Sequence, residues 1–324
     1  MTAGAYEGVP VLVLGAGGFI GRWVSRALTE SGASCTLVVR DDDAATPILR
    51  QYGAAGDVRR VDLGDARATS DLVRELAPAV TFNLAGYGVD PSERDPGQAA
   101  RMNADLPRVL AESLASGAQS LPGWVGQRLV HAGSALEYGA SEDVAEETDP
   151  LPTDLYGRTK LAGTMALDEI RRTRGLPALT ARLFTVFGPG EHPGRLMPAI
   201  LRAACSETVV PLTEGHQTRD FTYVEDVAAG LLRLGCVPGA DTGVVNLATG
   251  RLTTVREFIE TSARLLQIPP ERLDFGALPT RPEEMFHAPV PVGRLERLIR
   301  WLPETDVARG IERTVVRLRQ IEPA

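Results

Sequence analysis

The chain has one lysine. Among its 34 basic residues Lys160 stands alone, and the others are all arginines. A lysine kept at a single position points to a task that suits a compact ammonium and not a planar guanidinium. Cysteine is scarce too. Cys35, Cys205 and Cys236 are scattered and odd in number, so neither a disulfide framework nor a zinc-thiolate site is expected, and a reducing cytoplasm fits. The four histidines are isolated, and no metal site is expected. No apolar run approaches the roughly 18 residues that a membrane helix needs. The first ten residues lack a basic segment followed by a long apolar one, so no signal peptide is expected. Basic blocks are missing as well, and the net charge is −8. Nucleic acid is therefore not the expected partner, although a local arginine pocket for a small phosphate remains compatible. No internal repeat is seen.

What is present describes a soluble globular protein. The 324 residues are 44% hydrophobic and 23% charged, enough for one large domain or two lobes. Val9 to Leu14 reads as a short buried strand. Gly15-Ala16-Gly17-Gly18-Phe19-Ile20-Gly21 follows, and then a helical pattern through Trp23, Val24, Ala27 and Leu28. Strand, glycine turn and helix are the parts of a phosphate cradle, because glycine lets the backbone approach a pyrophosphate and a helix N-terminus offers N–H groups. A second strand, Ser34 to Arg40, ends where such folds choose between the ribose of NAD and the 2′-phosphate of NADP. Arg40 favours NADP; Asp41, at the head of a charged run to Asp43, keeps NAD open.

Further strands are read at Asp57 to Leu63, Val80 to Leu84, Arg128 to Ala132 and Pro177 to Leu183. Helices alternate with them near 68–77, 95–117 and 156–174. That alternation predicts a doubly wound parallel sheet. Beyond residue 183 the pattern becomes turn-rich, with helices near 195–205, 224–235, 254–267 and 304–319. We expect a dinucleotide-binding domain over 1–183 and a smaller α/β substrate-binding lobe over 184–324, with segments around 220–250 returning to the sheet.

Tyr156 and Lys160 are four residues apart, one helical turn, and so share a face. A phenol titrates near pH 10, and a nearby ammonium favours the phenolate. Lowering it by about three units needs roughly 4 kcal/mol of differential interaction, attainable in a dry cleft. Ser134 lies just past a strand end, on the edge where open parallel sheets bind ligands.

Together these residues resemble the extended short-chain dehydrogenase/reductases, and within them the nucleotide-sugar epimerase, dehydratase and reductase group. The resemblance spans nearly the whole chain. It rests on Gly15 to Gly21, Asp62-Leu63, Asn83-Leu84-Ala85-Gly86, Ser134 ahead of Tyr138-Gly139, Tyr156-x-x-x-Lys160, Arg182 to Pro189, Arg219-Asp220-Phe221, Asn246 to Gly250 and Trp301-x-Pro303. It implies a Rossmann sheet that binds a nicotinamide cofactor, with a nucleotide sugar between the lobes. Tyr156 would be the acid/base, Lys160 its tuner and ribose ligand, and Ser134 a hydrogen-bond partner of the reacting sugar oxygen. The implied cofactor contacts are Gly15, Gly18, Phe19, Ile20, Gly21, Arg40, Asp62, Leu63, Leu84, Ala85, Gly86, Tyr156, Lys160 and Phe184. Asn103, Ser134, Arg219 and Arg281 would bind the substrate, the two arginines through its phosphates.

One departure narrows the chemistry. The 4,6-dehydratases of this group carry an acid pair directly after the serine or threonine, where this chain has Ala135 and Leu136. A methyl and an isobutyl group cannot move protons. Glu137, one position later, would point to the opposite face of an extended segment. Arg40 then favours NADPH-dependent reduction of a nucleotide-linked 4-keto-deoxysugar, with dTDP as the nucleotide. The alternative is a 4-epimerase with retained NAD. A third reading, a non-catalytic dinucleotide sensor, fits poorly with a chain that keeps Ser134, Tyr156 and Lys160 together. Helices 95–117 and 156–174 carry apolar stripes beyond what one sheet face needs, and the resemblance implies a homodimer built on them.

Overall fold

The computed structural model describes residues 4–88, 93–117, 121–141, 143–240, 242–279 and 287–321. The first half of the chain alternates between strand and helix: β1 Pro10–Leu14, α1 Phe19–Glu30, β2 Ser34–Val39, α2 Asp42–Tyr52, β3 Asp57–Arg60, α3 Ala66–Leu76 and β4 Val80–Asn83. A bent helix follows, made of α4 Pro96–Ala100, a π-helical turn Arg101–Asp105 and α5 Leu106–Ser116. Next come β5 Leu129–Ser134, a 3₁₀ turn Ala135–Glu137, α6 Leu155–Arg174 and β6 Ala178–Leu183.

Seven parallel strands form the central sheet, in the order β11-β6-β5-β4-β1-β2-β3 with β11 at Gly243–Leu247. The run Pro10–Leu14 is apolar throughout because both faces of β1 are covered. Val11 and Val13 face a layer with Trp23, Leu28 and Leu231, whereas Leu12 and Leu14 face Leu72, Leu110 and Leu167. The order of strands reverses beside β1, between β2 and β4. Loops leaving those strands diverge there and open a crevice at the carboxyl edge, the usual ligand position in such sheets.

After β6 the chain builds a second core. Its elements are β7 Thr185–Phe187, α7 Leu196–Ala204, β8 Val210–Leu212, β9 Thr218–Arg219 and β10 Phe221–Tyr223. Then α8 Val224–Gly235 and β11 run back into the first lobe: α8 contributes Val227 and Leu231 to the sheet core, and β11 pairs with β6. The rest is β12 Thr253–Thr254, α9 Val255–Leu265, β13 Leu273–Phe275, α10 Gly293–Ile299 and α11 Val307–Ile321. Phe187, Phe221, Phe258, Ile259 and Ile311 form the heart of the second core, with Phe221 stacked on Phe258 at 4.3 Å.

Three elements differ from the sequence expectation. The acidic run after β2 is not a solvated loop: Asp41 caps α2, its carboxylate accepting from the Ala44 N–H at 3.1 Å. Asp42 and Asp43 occupy the first turn, where negative charge complements the helix dipole. The 95–117 helix is interrupted by its π-helical turn at Asn103. The short α10 carries no strong periodic signal and was not expected.

Candidate active site

The glycine turn is shaped by backbone contact. Gly15 has φ +76, a conformation that L side chains rarely adopt, and a Cβ there would lie 2.8 Å from the Ala85 nitrogen. A Cβ on Gly21 would lie 2.0 Å from the Gly15 oxygen, so only glycine allows α1 to start this close to β1. Gly18 is the N-cap of α1. It brings no side-chain cap, and no acidic residue sits in the first turn. Arg22 braces the loop from below by donating to the carbonyls of Gly17 and Gly18, each at 3.1 Å. A turn without side chains, leading into a helix end that no side chain caps, fits a pyrophosphate. Phe19 and Ile20 pack partly into the core behind it.

The remaining expected cofactor residues lie along the same carboxyl edge. Arg40 is exposed just beyond β2. Asp62 accepts from the Gly64 N–H at 2.9 Å, which forms the turn that Leu63 shares. Leu84 and Ala85 leave β4, with Leu84 partly buried and Ala85 buried. Gly86 leads to Gly88, where a Cβ would come within 3.3 Å of the Tyr156 ring, so this loop lies directly over the tyrosine. Phe184 sits between the rings of Tyr138 and His287.

Ser134, Tyr156 and Lys160 come together at the end of β5. Asp154 caps α6 by accepting from the Gly157 N–H at 2.6 Å, and this places Tyr156 in the first turn. The Ser134 hydroxyl accepts from the Leu136 N–H at 3.2 Å and is near enough to the phenol to favour its ionised form. Lys160 is buried and donates from Nζ to the Ala132 carbonyl at 2.6 Å.

Burial is the largest influence on both groups of the pair. The Tyr156 phenol is pushed up to about 12, first by burial and then by the Glu137 carboxylate, while the Ser134 hydrogen bond and the Arg195 guanidinium pull the other way. Lys160 itself is pushed down to about 8 by burial, with Glu137 opposing the fall. The physical reason is that an ammonium tied to a backbone carbonyl inside the protein pays a large desolvation penalty.

Two further residues sit in settings the sequence did not suggest. The Asn103 amide is engaged within the protein. It is fully buried, donates to the Tyr87 carbonyl at 2.7 Å and the Thr159 hydroxyl at 3.0 Å, and accepts from the Tyr87 N–H at 3.0 Å. It thus holds the loop over Tyr156 against α6. Glu137 is not on an extended segment. The 3₁₀ turn swings it inward, where it is fully buried and accepts from the Ser134 N–H at 2.8 Å and from Arg182 at 2.9 Å.

Arg219 is largely buried on β9, donates to the Thr218 carbonyl at 2.7 Å, and is pushed down to about 10 by burial. Arg281 lies outside the described residues. Beside Arg219, the buried Asp220 accepts from the Thr249 and Gly250 N–H groups at 2.9 and 2.7 Å and ties the loop after β11 to the second lobe. Sequence reasoning passed over Asp220, Arg182 and Glu137 as site-builders. Arg182 carried a usable signal, since it is the one charged residue in the run Ala178–Leu183.

Comparison with known proteins follows the same lines. The sequence model described as the NAD dependent epimerase/dehydratase family matches residues 11–248. A UDP-glucose 4-epimerase of Azospirillum brasilense is 26% identical over 94% of this chain and 90% of its own. The solved structure of MoeE5 in complex with UDP-glucuronic acid and NAD superposes with a TM-score of 0.79 at 27% identity, covering 96% of this chain and 99% of that one. The UDP-glucose 4-epimerase of Thermotoga maritima shares the fold, with a TM-score of 0.83 at 24% identity, over 96% and 98% of the two chains.

Proposed function

Because the chain belongs to the NAD-dependent epimerase/dehydratase family, we propose that it is a nucleotide-sugar 4-epimerase that works on retained NAD. The observation that carries this reading is a catalytic corner with one proton-exchanging phenol. Ala135 and Leu136 stand where a second acid/base would be needed, and the Glu137 carboxylate is engaged by Ser134 and Arg182. One acid/base suits oxidation and re-reduction at one carbon and does not suit removal of water. The likeness to the UDP-glucose 4-epimerase of Azospirillum brasilense, and the NAD in the MoeE5 complex, support the same choice.

A bound nicotinamide supplies the hydride acceptor and returns the hydride. With a nicotinamide bound, the Tyr156 oxygen would take the C4 hydroxyl proton as the sugar is oxidised to the ketone and would give it back on re-reduction. Ser134 holds the sugar oxygen beside the phenol. Lys160, with ammonium protons beyond the one given to Ala132, holds the cofactor ribose. Arg219 and Arg281 bind the sugar-nucleotide phosphates. Cofactor binding lowers the Tyr156 phenol toward neutrality by adding positive charge to a dry site.

The test is to denature the purified protein and identify the released nucleotide, then incubate the native protein with UDP- and dTDP-hexoses and no added cofactor. NAD in the supernatant and a C4 epimer are expected. An empty site, no epimer, and oxidation of added NADPH by a dTDP-4-keto-deoxysugar would establish the second reading, the ketoreductase, which the exposed Arg40 favours. We also propose a cytoplasmic homodimer. Met165 on α6 is 63% exposed, and an apolar side chain there fits a helix-to-helix interface. A monomer mass at every concentration in sedimentation would contradict the dimer.

A further inference from the structure

Glu137 has no part in the proton transfer just described, yet it is the carboxylate most firmly built into the catalytic corner. Its two oxygens have separate partners, the Ser134 N–H at 2.8 Å and Arg182 Nε at 2.9 Å. Arg182 comes from β6, whose register places it beside Gly133 of β5. A Cβ on Gly133 would lie 2.7 Å from Glu137 Oε1, so the glycine makes the room that the carboxylate occupies. On its other side the Arg182 guanidinium lies 4.3 Å over the Tyr138 ring, and the Tyr138 hydroxyl donates to Asn246 at 2.9 Å. The turn that carries Glu137 presses on α6 next to Tyr156, for a Cβ on Gly157 would meet the Leu136 carbonyl at 2.3 Å.

We propose that Glu137 is a positioning residue of the catalytic corner, a buried carboxylate that fixes Ser134 beside Tyr156 and sets the charge that Tyr156 and Lys160 experience. The inference rests on the reading of Tyr156 as the acid/base. Burying an ion pair is a poor way to gain stability. A fixed negative charge here does something an apolar residue could not: it disfavours the phenolate and favours the ammonium, which holds the pair as phenol and ammonium until a bound cofactor adds positive charge. The other charged groups facing Tyr156 are Asp154, which adds to the effect, and Arg195, which opposes it. Lys160 faces Glu137, which favours its ammonium, and the buried His131 of β5, and burial is the larger influence on it.

The test is Tyr156 ionisation, followed by ¹³C NMR on protein labelled at the tyrosine ζ carbon, the Tyr156 signal being the one lost in Tyr156→Phe. Glu137→Gln removes the charge and keeps the shape. The midpoint of the Tyr156 titration should fall by about one pH unit or more, the usual size of a close-charge effect. The acid limb of the pH–rate profile should move the same way. An unshifted midpoint in folded Glu137→Gln would overturn the proposal. If that variant fails to fold because Arg182 is left unpaired, Glu137→Gln/Arg182→Gln reads the same quantity, since removing both charges of a buried pair is far milder than removing one. The same downward shift is expected there, and its absence is equally decisive. The NMR titration needs no substrate. It therefore judges Glu137 independently of whether Tyr156→Phe loses turnover.

Discussion

The glycine turn and the catalytic corner share one edge of the sheet and are made of opposite materials. The turn is backbone: its form follows from Gly15 and Gly21 and their close approach to each other and to Ala85. The corner is side chains drawn from several elements. Ser134 comes from β5, Tyr156 and Lys160 from α6, Glu137 from the 3₁₀ turn and Arg182 from β6, with Asn103 of the π-helical turn holding the loop above. A backbone site is decided by shape within a few residues. A side-chain site is decided by charge and burial, which depend on partners far away in the chain. The two should therefore fail differently when altered.

The largest effect should come from the corner. Tyr156→Phe is expected to lower turnover by about 10²–10⁴-fold, the usual contribution of a positioned acid/base, while fold and cofactor binding persist. Circular dichroism and a steady-state assay check this. Turnover within threefold of the parent would break the comparison, because the corner would then be no more than packing.

Next in size is the turn. Gly21→Ala places a methyl against the Gly15 carbonyl oxygen, and neither backbone segment can yield easily. A loss of about 3 kcal/mol in urea-unfolding stability is expected, at the upper end of ordinary overpacking, together with loss of bound dinucleotide. A variant that kept both would show that the turn is looser than its contacts imply.

A pH experiment sharpens the contrast further, since the turn has no titrating group and the corner has several, Lys160 among them. The Lys160 ammonium is pushed down to about 8 in the folded protein. Its ordinary value when unfolded is near 10.4. Between these values the unfolded chain holds a proton that the folded chain has released, so stability rises with pH in that window. Below about pH 8 both states hold the proton and the burial penalty is fully present. The parent should therefore gain about 2 kcal/mol relative to Lys160→Met between pH 7.5 and 9.5. Equal slopes in the two proteins would mean that Lys160 is better solvated than its burial suggests.

The same contrast explains what could be read from sequence. β1 is an apolar run, β2, β4 and β6 are largely so, and the turn announces itself by glycine spacing, so these were legible; β3, Asp57–Arg60, is charged and was read from its place in the alternation. Tyr156 and Lys160 were legible as neighbours because a helix fixes their separation. Their electrostatics were not. Spacing, the lone lysine and the resemblance suggested Lys160 as tuner of the phenol, but none of them shows that burial and Glu137 also act on both groups. Glu137 itself was misplaced because an extended segment and a 3₁₀ turn differ in which way the third residue faces, and only the pairing with Arg182 reveals which one forms. Asn103 was legible as a polar residue on a helix, but its partner Tyr87 lies on a loop whose path the sequence does not specify. The cap at Asp41 was hidden in a run of three acids that drew attention as a determinant of cofactor choice.

The smallest expected effect lies between the two regions, at Arg40, where the edge of the turn meets solvent. A 2′-phosphate carries about two negative charges, and a guanidinium can hold it through paired charge-assisted hydrogen bonds. Arg40 is exposed, however, so water and salt screen it, and an exposed ionic contact is worth about 1 kcal/mol or less. Asp41 offsets part of that, yet one of its oxygens is engaged by the Ala44 N–H at the start of α2, which fixes where its charge sits. Arg40→Ala should therefore weaken NADP binding by about fivefold and leave NAD binding within twofold, measured by paired titrations of parent and variant. A parent that binds both cofactors alike or prefers NAD agrees with the epimerase. A parent preference for NADP that collapses by a hundredfold in the variant would mean that Arg40 closes over the phosphate in a drier site than the exposed strand end provides, and the ketoreductase would take the lead.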